Sequence, residues 1–177
     1  ELNVKEVETN YRSQFFEDLI SNDSKRRNKA IEKCRFFNLR PEDYYVVQVL
    51  DFKLKFSQER KEEQLLDSLR DNGNTVVMIV EEIMDYLNLK GIASTKLNGV
   101  YVLLSFNEER EIKKKLDKFN EYVINSLDNK LRNMYVKIGI GRAYKGLNKV
   151  GKSLSDALKA LRMCEESSNI KVLNYDD

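Results

Sequence analysis

The chain has 177 residues, 34% charged and 41% hydrophobic, and its 31 basic and 29 acidic residues leave a formal net charge of +2. That composition suits one domain with an ordinary core and supplies no global field for gathering nucleic acid, so a polyanion contact has to come from a local patch. Histidine is absent, which removes the commonest general base and the commonest transition-metal ligand.

The first forty residues read as helix. Phe15, Phe16, Leu19 and Ile20 make one apolar face, and Ile31, Cys34 and Phe37 make another after a break at Ser21–Asp23. Lys25, Arg26, Arg27 and Lys29 sit beside the second helix and are expected to form a solvated face. Cys34 and Cys164 are far apart on apolar faces and are expected to be buried, reduced thiols. Pro41 ends this section, because the residue before a proline is pushed out of helical geometry.

Tyr44 to Phe52 is rich in β-branched and aromatic residues and predicts a buried strand. Ser57 is expected to cap a charged helix to about Arg70, with a break at Asp71–Asn74 and a further helix through Val76, Ile79, Val80, Ile83 and Leu87. Ile92 to Phe106 predicts a hairpin around Asn98–Gly99, the favoured pair for a type I′ turn. Asn107 begins a helix to about Asn129, in which Glu109–Lys113 and Glu111–Lys115 are correctly spaced for i,i+4 pairing. Tyr135 to Gly141 is another strand. Ser153 with Asp156 predicts a capping-box start to an apolar helix, and Lys171 to Tyr175 a closing edge strand. The order is helices, then β-αα-ββ-α-β-α-β.

Gly146 to Ser153 spell G-x-x-x-x-G-K-S, the pattern of a phosphate-binding P-loop. Three features count against that reading. Arg142–Lys145 intervene between the strand and the glycine-rich segment, and Leu147 and Val150 fall in phase with Leu154, Leu158 and Leu161, as core residues would. Only 24 residues follow Ser153, too few for the further βα units of a P-loop domain.

The pattern G-I-G-R-x-Y-x-G-L-x-x-V-x-x-S-x-x-x-A-x-x-A-L, from Gly139 to Leu161, resembles the end of the GGDEF-like domain of PucR-type bacterial transcriptional regulators. Those include regulators of purine and sugar-diacid use, and a similar module occurs in some AraC-type response regulators. FFEDLISND and CRFFNLRPEDYYVVQVLDF resemble the family's leading helix and its passage into the first strand. The resemblance implies an α+β fold with a ferredoxin-like, nucleotide-cyclase-like antiparallel sheet, preceded by N-terminal helices. Residues 1–40 would form a helical linker or dimerisation segment, and residues 41–177 the degenerate domain.

The same resemblance bears on activity. The hairpin position that would carry G-G-D-E-F holds Leu97-Asn98-Gly99-Val100-Tyr101, without its acids. Asp51 falls where the first-strand metal aspartate would be, but the second acid is replaced by Lys53. A lone carboxylate beside a lysine is a poor Mg²⁺ site, so neither a catalytic residue nor a metal or cofactor is expected. Candidate contacts for a small anionic effector are Asp51, Arg142, Tyr144, Lys145, Lys149 and Lys152. The expected role is a non-catalytic regulatory module, homodimeric through its leading helices. The chain opens on Glu1 and shows no helix-turn-helix, so DNA is expected to be reached only through a domain outside these residues. No run approaches the ~20 apolar residues that cross a bilayer, and a cytoplasmic location is expected.

Overall fold

The computed structural model describes residues 4–54, 62–131, 134–163 and 170–176. Helix α1 spans Val4–Leu19 and α2 spans Ser24–Glu32. The break between them falls where the sequence predicts it. The Asp23 carboxylate caps α2 by accepting a hydrogen bond from the Lys25 amide at 3.0 Å. A 3₁₀ turn, Cys34–Phe37, closes this section, with Asn38 in the left-handed conformation at φ 58°.

Strand β1 (Tyr44–Leu54) is followed by α3 (Glu62–Tyr86), the hairpin β2 (Lys90–Lys96) and β3 (Gly99–Phe106), and α4 (Ile112–Lys130). Then come β4 (Met134–Ile140), the two-residue β5 (Tyr144–Lys145), α5 (Val150–Arg162) and β6 (Ile170–Asn174). The sheet order is β2-β3-β1-β4-β6, with β5 pairing the start of β1. The pairs among β2, β3, β1 and β4 are antiparallel, which is the ferredoxin-like arrangement. The sheet as a whole is mixed, because β6 joins β4 in parallel.

β1 lies mid-sheet and is covered on both faces, so its apolar residues run on with little alternation. Val46, Leu50 and Phe52 meet α3 and α4, which contribute Val76, Val80, Phe119 and Val123. Tyr45, Val47 and Val49 meet the other layer, where Phe16, Leu19 and Ala30 of the leading helices pack beside Leu147, Val150 and Ala157. Phe16 stacks on Tyr101 of β3 with ring centroids 5.1 Å apart. Cys34 is buried in this layer, and burial raises its thiol pKa; Cys164 and Ser57 lie outside the described residues.

Three local expectations are corrected. α3 runs unbroken through Asp71–Asn74, because Gly73 is buried against the hairpin, 3.5 Å from Thr95 and 3.7 Å from the Gly99 carbonyl for an added Cβ. Tertiary packing there outweighs the low helix propensity of the segment. The hairpin turns on Leu97–Asn98, and neither they nor Gly99 takes a positive φ, so it is not type I′. Gly99 is needed for space, since a Cβ would lie 1.8 Å from the Leu50 carbonyl oxygen. At the start of α4 the Glu111–Lys115 pair forms at 2.7 Å, but Lys113 pairs with Asp117 at 3.1 Å instead of Glu109.

Candidate functional site

The residues singled out by sequence fall at two separate places along β1. Asp51 lies near its C-terminal end, opposite Gly99 of β3 and Lys137 of β4. Tyr144 and Lys145 pair with Tyr45 and Tyr44 at its beginning. Six residues of extended chain, about 20 Å, separate the two places. Asp51 is therefore not brought together with Arg142, Tyr144, Lys145, Lys149 and Lys152.

At the hairpin end, the Asp51 carboxylate forms an ion pair with Lys96, the last residue of β2. The ammonium also lies 5.7 Å from the centroid of the Tyr101 ring. A lysine thus supplies the positive charge beside this carboxylate. Sequence reasoning passed over Lys96 because its partner is reached only through the folded sheet.

At the other end, β1 stays paired with β3 but has a gap on its opposite side, where β4 stops and β5 has not begun. The Gly141 amide still donates to the Val47 carbonyl at 2.9 Å. The Val47 amide instead donates to the hydroxyl of Ser153, on α5, at 2.9 Å. That hydroxyl donates in turn to the Arg142 carbonyl at 2.7 Å. Ser153 is wholly buried and lies inside α5, which begins at Val150 with no side-chain cap, so the expected capping box does not form. Asp156, its supposed second member, accepts a hydrogen bond from the Tyr144 hydroxyl at 2.6 Å. That bond raises the Tyr144 pKa, with a smaller contribution from desolvation.

The glycines of the motif serve the same packing. A Cβ on Gly139 would lie 2.3 Å from the Ala157 carbonyl oxygen, and one on Gly141 would lie 2.0 Å from that of Ser153. Their absence of side chains lets α5 lie directly on β4. Gly146 adopts φ 103°, a conformation open mainly to glycine, and Leu147 after it is buried.

This geometry leaves no phosphate cradle in the P-loop spelling. Residues 147–149 form a 3₁₀ turn running into α5, the Lys149 amide donates to the Gly146 carbonyl at 3.2 Å, and the serine hydroxyl has both its bonds within the protein. Of the basic residues, Arg142 pairs with Asp176 at 2.7 Å and lies 4.3 Å from the Tyr175 ring centroid; the hydrogen bond to Asp176 raises its pKa. Lys145 lies 6.0 Å from the Tyr44 ring centroid. Lys149 is half-buried and Lys152 exposed, and neither forms an ion pair among the described residues.

Comparison with known proteins agrees with this architecture. A proline-responsive transcriptional activator, PutR, of Bacillus subtilis (strain 168) is 28% identical over 116 residues, which are 63% of this chain and 28% of that protein. The aligned part is thus little more than a quarter of that relative's length. Residues 21–163, from the end of α1 to the end of α5, match the GGDEF-like domain family. The match takes in the hairpin and the glycine–serine motif that joins α5 to the sheet, and the chain belongs to the GGDEF-like domain family.

Proposed function

We propose that this chain is a non-catalytic regulatory module of a bacterial transcription factor, of the PucR type or a related one, working in the cytoplasm. The observation that carries the reading is the hairpin end of β1. There Leu97-Asn98-Gly99-Val100-Tyr101 holds no acid, and the carboxylate of Asp51 is already paired with Lys96. Nucleotidyl transfer of the cyclase type needs several carboxylates around Mg²⁺. The likeness to a transcriptional activator supports the regulatory half of the reading. The module would couple an upstream signal to sequence-specific DNA reading by a domain elsewhere in the parent protein.

In this reading residues 1–40 also serve as the dimerisation segment. The first half of α1 carries Val4, 71% exposed, and Tyr11, 65% exposed, at a heptad spacing, which suits burial against a second copy. Light scattering on the 177-residue chain is expected to give a dimer, and a concentration-independent monomer would overturn that part.

The central test is a thermal-shift screen with GTP, ATP and cyclic dinucleotides, with and without Mg²⁺, alongside a product assay for cyclic dinucleotide. A ligand at about 100 times its Kd stabilises a fold by about 2.7 kcal/mol. No product and no Mg²⁺-dependent shift are expected. Turnover, or a Mg²⁺-dependent shift lost in Lys152→Ala, would overturn the non-catalytic reading.

A further inference from the structure

We propose that the surface formed by α2 and the segment from Lys145 to Lys152 binds duplex DNA through its phosphates, without reading sequence. This goes beyond the reading above, in which DNA is reached only through another domain, and does not depend on it.

Two basic clusters far apart in sequence meet on one side of the fold. Residues 24–40 hold seven basic residues and one acid, and residues 142–162 hold six basic residues and one acid. Helix α2 lies against the 3₁₀ turn at Leu147–Lys149. The Leu147 amide also donates to the Pro41 carbonyl at 3.0 Å, which ties the end of the first cluster to the middle of the second. In the opposite layer α3 carries seven acids and one arginine, and α4 beside it five lysines and three acids, so the two helices together are net acidic. A net charge of +2 therefore hides a strongly polar molecule, and such separation orients a polyanion toward one face.

Lys29 in the last turn of α2 and Lys33 at its C-cap suit the helix dipole, but Lys25, Arg26 and Arg27 in its first turn do not. Ala30 points inward, and Lys25, Lys29 and Lys33 recur every four residues along the solvent side, exposed and without an ion pair among the described residues. Like charges at that spacing weaken a helix, and cations in its first turn oppose the helix dipole. Two of the first-turn cations are held internally. Arg26 pairs with Asp18, and Arg27 donates to the Ser21 carbonyl at 3.1 Å. The lysine row is left over, and so are Lys149, on the turn that α2 packs against, and Lys152, in the first turn of α5. The row carries no apolar residue of its own, and Phe36, 86% exposed, stands only past its end beside Lys33. A run of lysines of that kind fits a uniformly charged phosphate backbone better than a protein surface with an apolar centre and polar rim.

The test is fluorescence anisotropy of the 177-residue chain on a labelled duplex of about 20 base pairs and arbitrary sequence. Four to six phosphate contacts predict that affinity falls about 10²- to 10³-fold between about 50 and 200 mM salt. Lys29→Glu/Lys33→Glu and Lys149→Glu/Lys152→Glu are each expected to weaken binding at least about tenfold, while Lys114→Glu/Lys118→Glu on α4 leaves it unchanged. If charge reversal unfolds a variant, the Lys→Gln pairs give the same comparison. Absence of binding at the lower salt would overturn the proposal, and so would an equal loss from the α4 variant. Equal affinity for a poly-glutamate chain of matched charge would instead assign the face to an acidic protein.

Discussion

The Ser153 hydroxyl of α5 occupies the place of a strand partner for the Val47 amide of β1, at 2.9 Å and across 106 positions of sequence. Ser153→Ala would leave that buried N–H unpaired, and an unsatisfied buried group costs about 1–3 kcal/mol. The neighbouring Lys152 is exposed, and Lys152→Ala is expected to change stability by less than about 0.5 kcal/mol. Urea unfolding is expected to show a lowered midpoint with unchanged slope for the serine variant alone. Equal stability of the two variants would remove the strut from the account.

How far the sequence could be read depended on how local each cause was. β1 was legible because burial on both faces demands β-branched and aromatic residues in an unbroken run. The break at Ser21–Asp23 was legible because Asp23 acts within its own turn. α3 was misread at Gly73, whose position answers to the hairpin packed on it and not to helix propensity. Ser153 was misread as a cap because a serine before apolar residues has the same spelling whether its hydroxyl meets its own helix or a distant strand. The candidate site was least legible for the same reason. The partners of Asp51 and Tyr144 are Lys96 and Asp156, chosen by sheet register and helix packing, which no short motif encodes.

Gly141 offers a steric test of the same contact. A Cβ there would lie 2.0 Å from the Ser153 carbonyl oxygen and 2.7 Å from its hydroxyl oxygen. The obstruction is helix backbone, so relief requires α5 to move off β4. Gly141→Ala is expected to destabilise by about 3 kcal/mol, at the upper end of ordinary overpacking costs. Gly151 has nothing within 4 Å of an added Cβ, and Gly151→Ala in α5 is expected to be neutral or to stabilise by up to about 1 kcal/mol. Thermal unfolding of the two alanine variants separates them.

The bond from Tyr144 to Asp156 carries a pH signature. It raises the tyrosine pKa above the ordinary value of 10.0, so the folded chain holds this proton more tightly than the unfolded chain. As pH rises through 10.0 the unfolded state deprotonates first, and the contribution to stability declines from there up to the raised value. Below that window the hydrogen bond is whole, and Tyr144→Phe is expected to cost about 1 kcal/mol. The difference between the two proteins should narrow above pH 10, since the remaining tyrosines are common to both. Denaturant unfolding at about pH 8 and about pH 11 measures it, and a gap that stays constant would show that the hydrogen bond is not its source.

On the far face of the sheet, Gln48 of β1 and Asn120 of α4 exchange two hydrogen bonds, 2.8 and 2.9 Å, inside an otherwise apolar layer. Gln48 is wholly buried and Asn120 nearly so. Apolar contacts are non-directional, whereas this pair is satisfied at only one rotation of α4 over β1. Gln48→Leu or Asn120→Leu alone strands the other amide, at about 1–3 kcal/mol each. The double variant removes both polar groups together, so it is expected to be more stable than either single one, with a coupling energy of about 1–3 kcal/mol. Its stability should then rest on shape alone, and the amide spectrum of α4 should broaden as the helix loses its fixed rotation. Strictly additive losses in the cycle would show that the two amides are independent and that α4 is registered by its apolar contacts.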